Sequence, residues 1–154
     1  MLITTHVLSG ALLGRALRRP APALLLGVGS HLVLDHVPHW GKGGGWPPVL
    51  DEQTLRVAVA DGLVGLTLIG LVLSLTPPRR RPEVLAGIVG ACLPDLDKPG
   101  RLFLGRSPWP ERFDRLHVRI QNESPDRLGK DVAIALVGGA ATLVLLAERR
   151  PRRW

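Results

Sequence analysis

A histidine and an aspartate four residues apart stand in the apolar run Gly29-Ser30-His31-Leu32-Val33-Leu34-Asp35. On a helix they share one face. An imidazole nitrogen and a carboxylate oxygen at that spacing suit a divalent metal ion. His39 would continue the same stripe, but Pro38 ends the helix before it is reached. His36 points to a different face and is read as a non-ligand. A second set of acids closes Leu93-Pro94-Asp95-Leu96-Asp97. Pro94 breaks or kinks a helix there, and two carboxylates at a helix C-terminus, where the dipole disfavours them, call for a compensating cation.

Three further positions carry ligand-type side chains. His6 lies in Thr4-Thr5-His6-Val7-Leu8-Ser9-Gly10, on a small-residue face that can approach another helix closely. Asp61 follows Ala60 and precedes a long apolar run. His117 lies in a polar stretch in which Leu116 and Ile120 could anchor a short amphipathic helix, with His117, Gln121 and Glu123 over the site. The expected metal set is thus His6, His31, Asp35, His39, Asp61, Asp95 and Asp97, with Asp97 and His117 as the catalytic pair. Each residue also has a plainer reading, as a helix cap, an interhelical hydrogen-bond partner or a solvated boundary charge. What argues against the plain readings is context, since an ionisable side chain at membrane depth costs several kcal/mol unless it is paired or liganded.

The elements that must position these residues are five apolar blocks, Leu2–Leu17, Ala21–Val37, Val57–Leu75, Val84–Leu96 and Val132–Ala147. None alternates with period two and most exceed strand length, so all five read as helices of an all-α chain. Prolines at 20, 77, 78 and 82 mark the turns. With 4% aromatic residues and no Tyr, packing must rest on Leu, Val, Ala and the 18 Gly. At 154 residues there is room for one domain: a hairpin over 1–38, a second over 57–97, a polar connector over 98–130 and a last helix over 131–148.

The hairpins repeat one another. His6-Val7-Leu8-Ser9-Gly10 corresponds to Asp61-Gly62-Leu63-Val64-Gly65, and the segment ending at Asp35 corresponds to the one ending at Asp95. Each hairpin starts with a ligand-type residue, turns at arginines and ends on an acid. Four helix ends would therefore carry His6, Asp35, Asp61 and Asp95 to one level.

The charge of +7 follows the same plan. Arg15, Arg18 and Arg19, then Arg79 to Arg81, then Arg149, Arg150, Arg152 and Arg153 all fall on one side of a five-span topology, the cytoplasmic side by the positive-inside bias. The site then faces outward. A full span needs about 20 apolar residues, and only the third block approaches that, so the others are expected to be short, tilted or re-entrant. The arginines are not interleaved with aromatics, which argues against nucleic acid as a partner and leaves membrane lipids. Cys92 stands alone, so no intrachain disulfide forms. The first residues show no basic stretch and small-residue cleavage site, so no removable leader is expected.

In Thr5-His6 with Gly10, in Leu93-Pro94-Asp95-Leu96-Asp97 and in Ser30-His31-Leu32-Val33-Leu34-Asp35 the chain resembles the predicted inner-membrane, metal-dependent hydrolases of bacteria. Here the Pro-Asp-x-Asp element follows the Ser-His-x-x-x-Asp helix, whereas in that family it precedes it. The family's His-Arg-Gly-x-Thr-His-Ser signature has no counterpart beyond the region of His117. The resemblance implies a multi-pass protein of the bacterial inner membrane. Combined with the residue reading, it leads to the expectation of a hydrolase using a divalent metal, zinc first with manganese or magnesium also suited, on an ester or phosphoester. A non-enzymatic membrane scaffold or metal carrier, and a soluble basic bundle, are the competing expectations. Oligomeric state is not legible.

Overall fold

The computed structural model describes residues 1–42 and 51–147. They form helices α1 (Ile3–Ala16), α2 (Pro20–His36), α3 (Glu52–Leu75), α4 (Arg81–Cys92), α5 (Asp97–Leu104), α6 (Glu111–Ile120) and α7 (Leu128–Ala147). The all-α expectation is met. The glycines 43–45 and the arginines 149, 150, 152 and 153 lie outside the described residues.

Each apolar block became a helix, with shifted ends. α3 starts five residues early because Asp51 caps it, its carboxylate accepting from the Thr54 amide at 2.8 Å. α4 stops at Cys92 because Pro94 draws the next residues into a 3-10 turn, Leu93–Leu96. The connector 98–130 is not a plain polar link: it folds into most of α5, all of α6 and the start of α7.

Glycine decides how the helices meet. α4 lies against both α1 and α2, and backbone touches backbone where they cross. A Cβ on Gly10 would strike the Gly87 carbonyl, one on Gly14 would strike Glu83 and Val84, and one on Gly90 would strike Leu24. At Gly27 the added carbon would sit 2.5 Å from the Gly87 carbonyl oxygen and 2.8 Å from the Ala91 nitrogen. Such contact is open only to residues without a side chain. A small apolar cluster of Val7, Ala11, Val72, Val84 and Ile88 fills the space beside it. Thus α4 packs most intimately with α1 and α2, while α3 lies along α1.

Polar residues are inside and apolar ones outside to an unusual degree. His6, His31, His39, Asp35 and Asp131 are fully buried, whereas Leu25, Val33, Leu66, Leu136 and Val137 are each two-thirds exposed or more. Two stretches, Glu52–Leu75 and Pro125–Leu145, are long and apolar enough to cross a membrane, with only 11% and 17% of their apolar windows buried. A core helix of a water-soluble protein would be mostly covered.

The two ends of the bundle differ. At one, Arg80 donates to the carbonyls of Arg15 (2.8 Å) and Leu17 (2.5 Å), and Arg15 reaches the Leu145 carbonyl. At the other end lie the starts of α1, α3 and α7 and the ends of α2 and α4. There a two-residue parallel bridge pairs β1 (His39–Trp40) with β2 (Glu123–Ser124). The Asn122 amide donates to the Asp35 carbonyl at 3.0 Å, which ties the end of α6 to the end of α2.

Candidate metal centre

Four buried residues from three separate elements converge at that end: His31 and Asp35 of α2, Asp95 of the 3-10 turn and His117 of α6, with one ligand atom from each within 4.8 Å of the others. His31 Nε2 is 2.9 Å from His117 Nε2, and both lie 3.0 Å from Asp35 Oδ2. Asp95 Oδ1 is 3.7 Å from each of the two nitrogens. A tetrahedral ion bonded at about 2.0–2.2 Å spreads its ligand atoms about 3.3–3.6 Å apart, the middle of this range.

Tautomers strengthen the fit. His31 Nδ1 lies 2.7 Å from the Ala91 carbonyl oxygen, which can only accept, so Nδ1 carries a proton and the ring turns Nε2 inward to the cluster. That contact exists because Gly27, Gly87 and Gly90 let α2 and α4 approach. On the far side of His117, Nδ1 is 4.0 Å from Asp97 Oδ1. His117 Nε2 is the ring nitrogen that faces the cluster. Nε2 of two imidazoles and the oxygens of two carboxylates thus face one point, which is the ligand set a divalent cation takes.

Other groups crowd this centre. His6 stacks on His31 with ring centroids 4.0 Å apart, and its Nε2 is 3.3 Å from Asp35 Oδ1. Neither of its ring nitrogens has a hydrogen-bond partner among the described residues. The Met1 amine is 2.9 Å from Asp35 Oδ1, and Gln121 Nε2 is 3.4 Å from Asp35 Oδ2. Lys98, its side chain 39% exposed, donates to Asp95 Oδ1 at 2.7 Å. Burial alone would push Asp95 up, but the Lys98 ammonium and the imidazoles of His31 and His6 hold it well below the usual carboxylate range. Burial pushes Asp97 up, against the pull of Lys98.

Of the expected ligands, the structure brings His31, Asp35 and Asp95 together, with His6 against them. His117, expected as a catalytic partner of Asp97, contributes a cluster nitrogen. Asp97 does not join the four: it stands behind His117, its other oxygen 4.0 Å from Arg101. Asp61 is at the expected level but is spent elsewhere. Its carboxylate accepts from the Ile3 amide at 2.5 Å and from the Thr4 amide at 3.2 Å, so it caps α1 from a neighbouring helix. His39 is turned away, donating from Nδ1 to its own chain at Val37 (2.8 Å) and facing Glu123 at 4.0 Å. Burial, with the Met1 ammonium nearby, lowers its pKa. The chain reverses at Pro38, so the helical stripe stops at Asp35.

Several supports escaped sequence reasoning. Asp114 receives Arg101 at 2.6 Å and Ser107 at 2.9 Å, while Trp109 Nε1 donates to the Pro94 carbonyl at 3.1 Å. These contacts lock α5 and α6 under the 3-10 turn. Asp131 accepts from the Trp40 amide at 3.0 Å and fixes the β1 bridge. A lone acid heading an apolar helix was the one available signal for it.

Comparison with protein-family models, curated proteins and solved structures gives no match to this chain. The geometry therefore stands by itself.

Proposed function

We propose that the chain is a membrane-embedded hydrolase that uses one divalent metal ion, zinc first, to cleave an ester or phosphoester. The convergence of His31, Asp35, Asp95 and His117 carries this reading. Two imidazoles with two carboxylates fit zinc, and fit manganese nearly as well. A divalent ion supplies Lewis acidity and acidifies water for attack. The residues do the rest. The Ala91 carbonyl orients the His31 ring, Asp97 stands behind the His117 ring, Asp35 turns both oxygens toward the centre, and the partly exposed Lys98 offers positive charge to an anionic substrate at the rim.

The uncovered Leu and Val faces of α2, α3 and α7 support membrane integration. Arg15, Arg80 and Arg81 lie at the end opposite the metal centre, which supports an outward-facing site under the positive-inside bias. The likeness to bacterial inner-membrane hydrolases favours that membrane.

The test is metal content in detergent-purified protein, with His31→Ala and Asp35→Asn alongside. Stoichiometric zinc or manganese in the parent, lost in both variants, is the expected result. A parent without stoichiometric metal, or a His31→Ala protein that keeps it, overturns the reading. Stoichiometric metal in a parent protein that hydrolyses neither ester nor phosphoester probes would favour a carrier or scaffold instead.

A further inference from the structure

Beside the metal centre, and resting on that reading, lies an apolar groove of about 630 Å³ between the end of α2 and α6. Its walls are Leu32, Val33, His36, Val37 and Pro38 on one side and Leu116 and Ile120 on the other. These residues are chain neighbours of the cluster: Leu32 follows His31, and Leu116 precedes His117. Groove and centre are therefore built on the same two helices.

The face order of α6 says what could lie there. At 100° per residue, His117 points to the centre, Ile120 and Leu116 follow around the helix, and Arg112, Arg119 and Arg115 come next. All three arginines are exposed, as is Leu116, at 56%. A helix that passes from a buried ligand through an apolar stripe to a basic edge is suited to the boundary between headgroups and acyl chains. The groove also opens onto the exposed apolar face of α2, where Val33 is 68% and Leu25 69% exposed.

We propose that this groove seats an acyl chain of a membrane lipid with an anionic phosphate headgroup, so that its phosphoester reaches the metal centre and the arginine edge with Lys98 balances its charge. Hydrolysis adds a water oxygen to phosphorus and breaks the bond from phosphorus to the lipid oxygen. One water proton passes to that oxygen, leaving a lipid alcohol and phosphate.

The experiment uses the full chain in detergent micelles with a phosphatidic acid carrying a diazirine in its acyl chain. After irradiation, adducts are mapped by peptide mass spectrometry, and metal content is measured on the same sample. Adducts should concentrate on residues 32–38 and 116–120. Val33→Trp, a change at an exposed position, should cut them about tenfold by filling the groove, with metal content unchanged. A diazirine-bearing neutral diacylglycerol should label the groove far less than the phosphatidic acid does. Adducts spread evenly over α3 and α7, or unmoved by Val33→Trp, overturn the proposal even where the metal is present. Labelling confined to the groove in a protein without metal would instead sink the hydrolase reading and leave the lipid site standing.

Discussion

Asp97→Asn separates a ligand from a support. The structure places Asp97 Oδ1 4.0 Å from His117 Nδ1, on the ring edge away from the cluster. Two full charges at that distance would interact by about 4 kcal/mol at an effective dielectric of about 20. An imidazole N–H bears only part of a charge, and 4.0 Å lies beyond hydrogen-bond range, so the contact is worth well under that figure. Replacing the carboxylate by an amide of the same shape should therefore weaken metal binding by about tenfold, the low end of the range for a carboxylate behind a ligating histidine. Asp35→Asn should do more harm, because both Asp35 oxygens face the cluster. Competition of each purified variant against a fluorescent zinc chelator at constant pH reads the two affinities. Equal losses in the two variants would make Asp97 a direct ligand and refute the assignment. An unchanged affinity in Asp97→Asn would show that the carboxylate gives His117 no support.

Gly87→Ala should destabilise the bundle by more than about 3 kcal/mol, because its methyl would meet the Gly10 carbonyl and the Gly14 nitrogen (2.9 Å) rather than a flexible side chain. Gly70→Ala, with nothing within 4 Å of the new carbon, should be neutral or stabilising by up to about 1 kcal/mol; thermal unfolding in detergent compares the pair. Metal removal by a chelator should lower the midpoint by roughly 5–10 °C if the ion had been present at about a hundred times its dissociation constant, and an unchanged midpoint would speak against a structural contribution from the ion. Asp51, held at about 2 by the Thr54 hydroxyl and amide, has its folded pKa depressed below the ordinary value of 3.8. Its stabilisation of α3 is thus complete above about 3.8 and is lost as pH falls through about 2. Faster amide exchange in the first turn of α3, seen either over that window or in Asp51→Ala at neutral pH, is the expected signature.

Sequence alone determined the helices and the end of the bundle at which the buried histidines and aspartates gather. The signals are local. Apolar runs bounded by proline make helices whatever surrounds them, and the four-residue spacing of His31 and Asp35 makes one helical face. Alternating chain direction then carries His6, Asp35, Asp61 and Asp95 to one level, as the structure has them. Only the tertiary structure decided which of these residues meet. Asp61 and Asp95 were both expected as ligands at that level, yet one caps α1 and the other joins the cluster, because the glycine contacts draw α4 against α1 and α2 while α3 runs along the outside. His39 left the stripe when the chain turned at Pro38. His117 entered the cluster from a polar connector, held there by the Asn122–Asp35 backbone bond and the Asp114 network, neither of which leaves a periodic mark. Periodicity reports the face a residue occupies on its own helix. Where two helices come within reach is set by the absence of side chains at five glycines, and that can be judged only when both partners are in view.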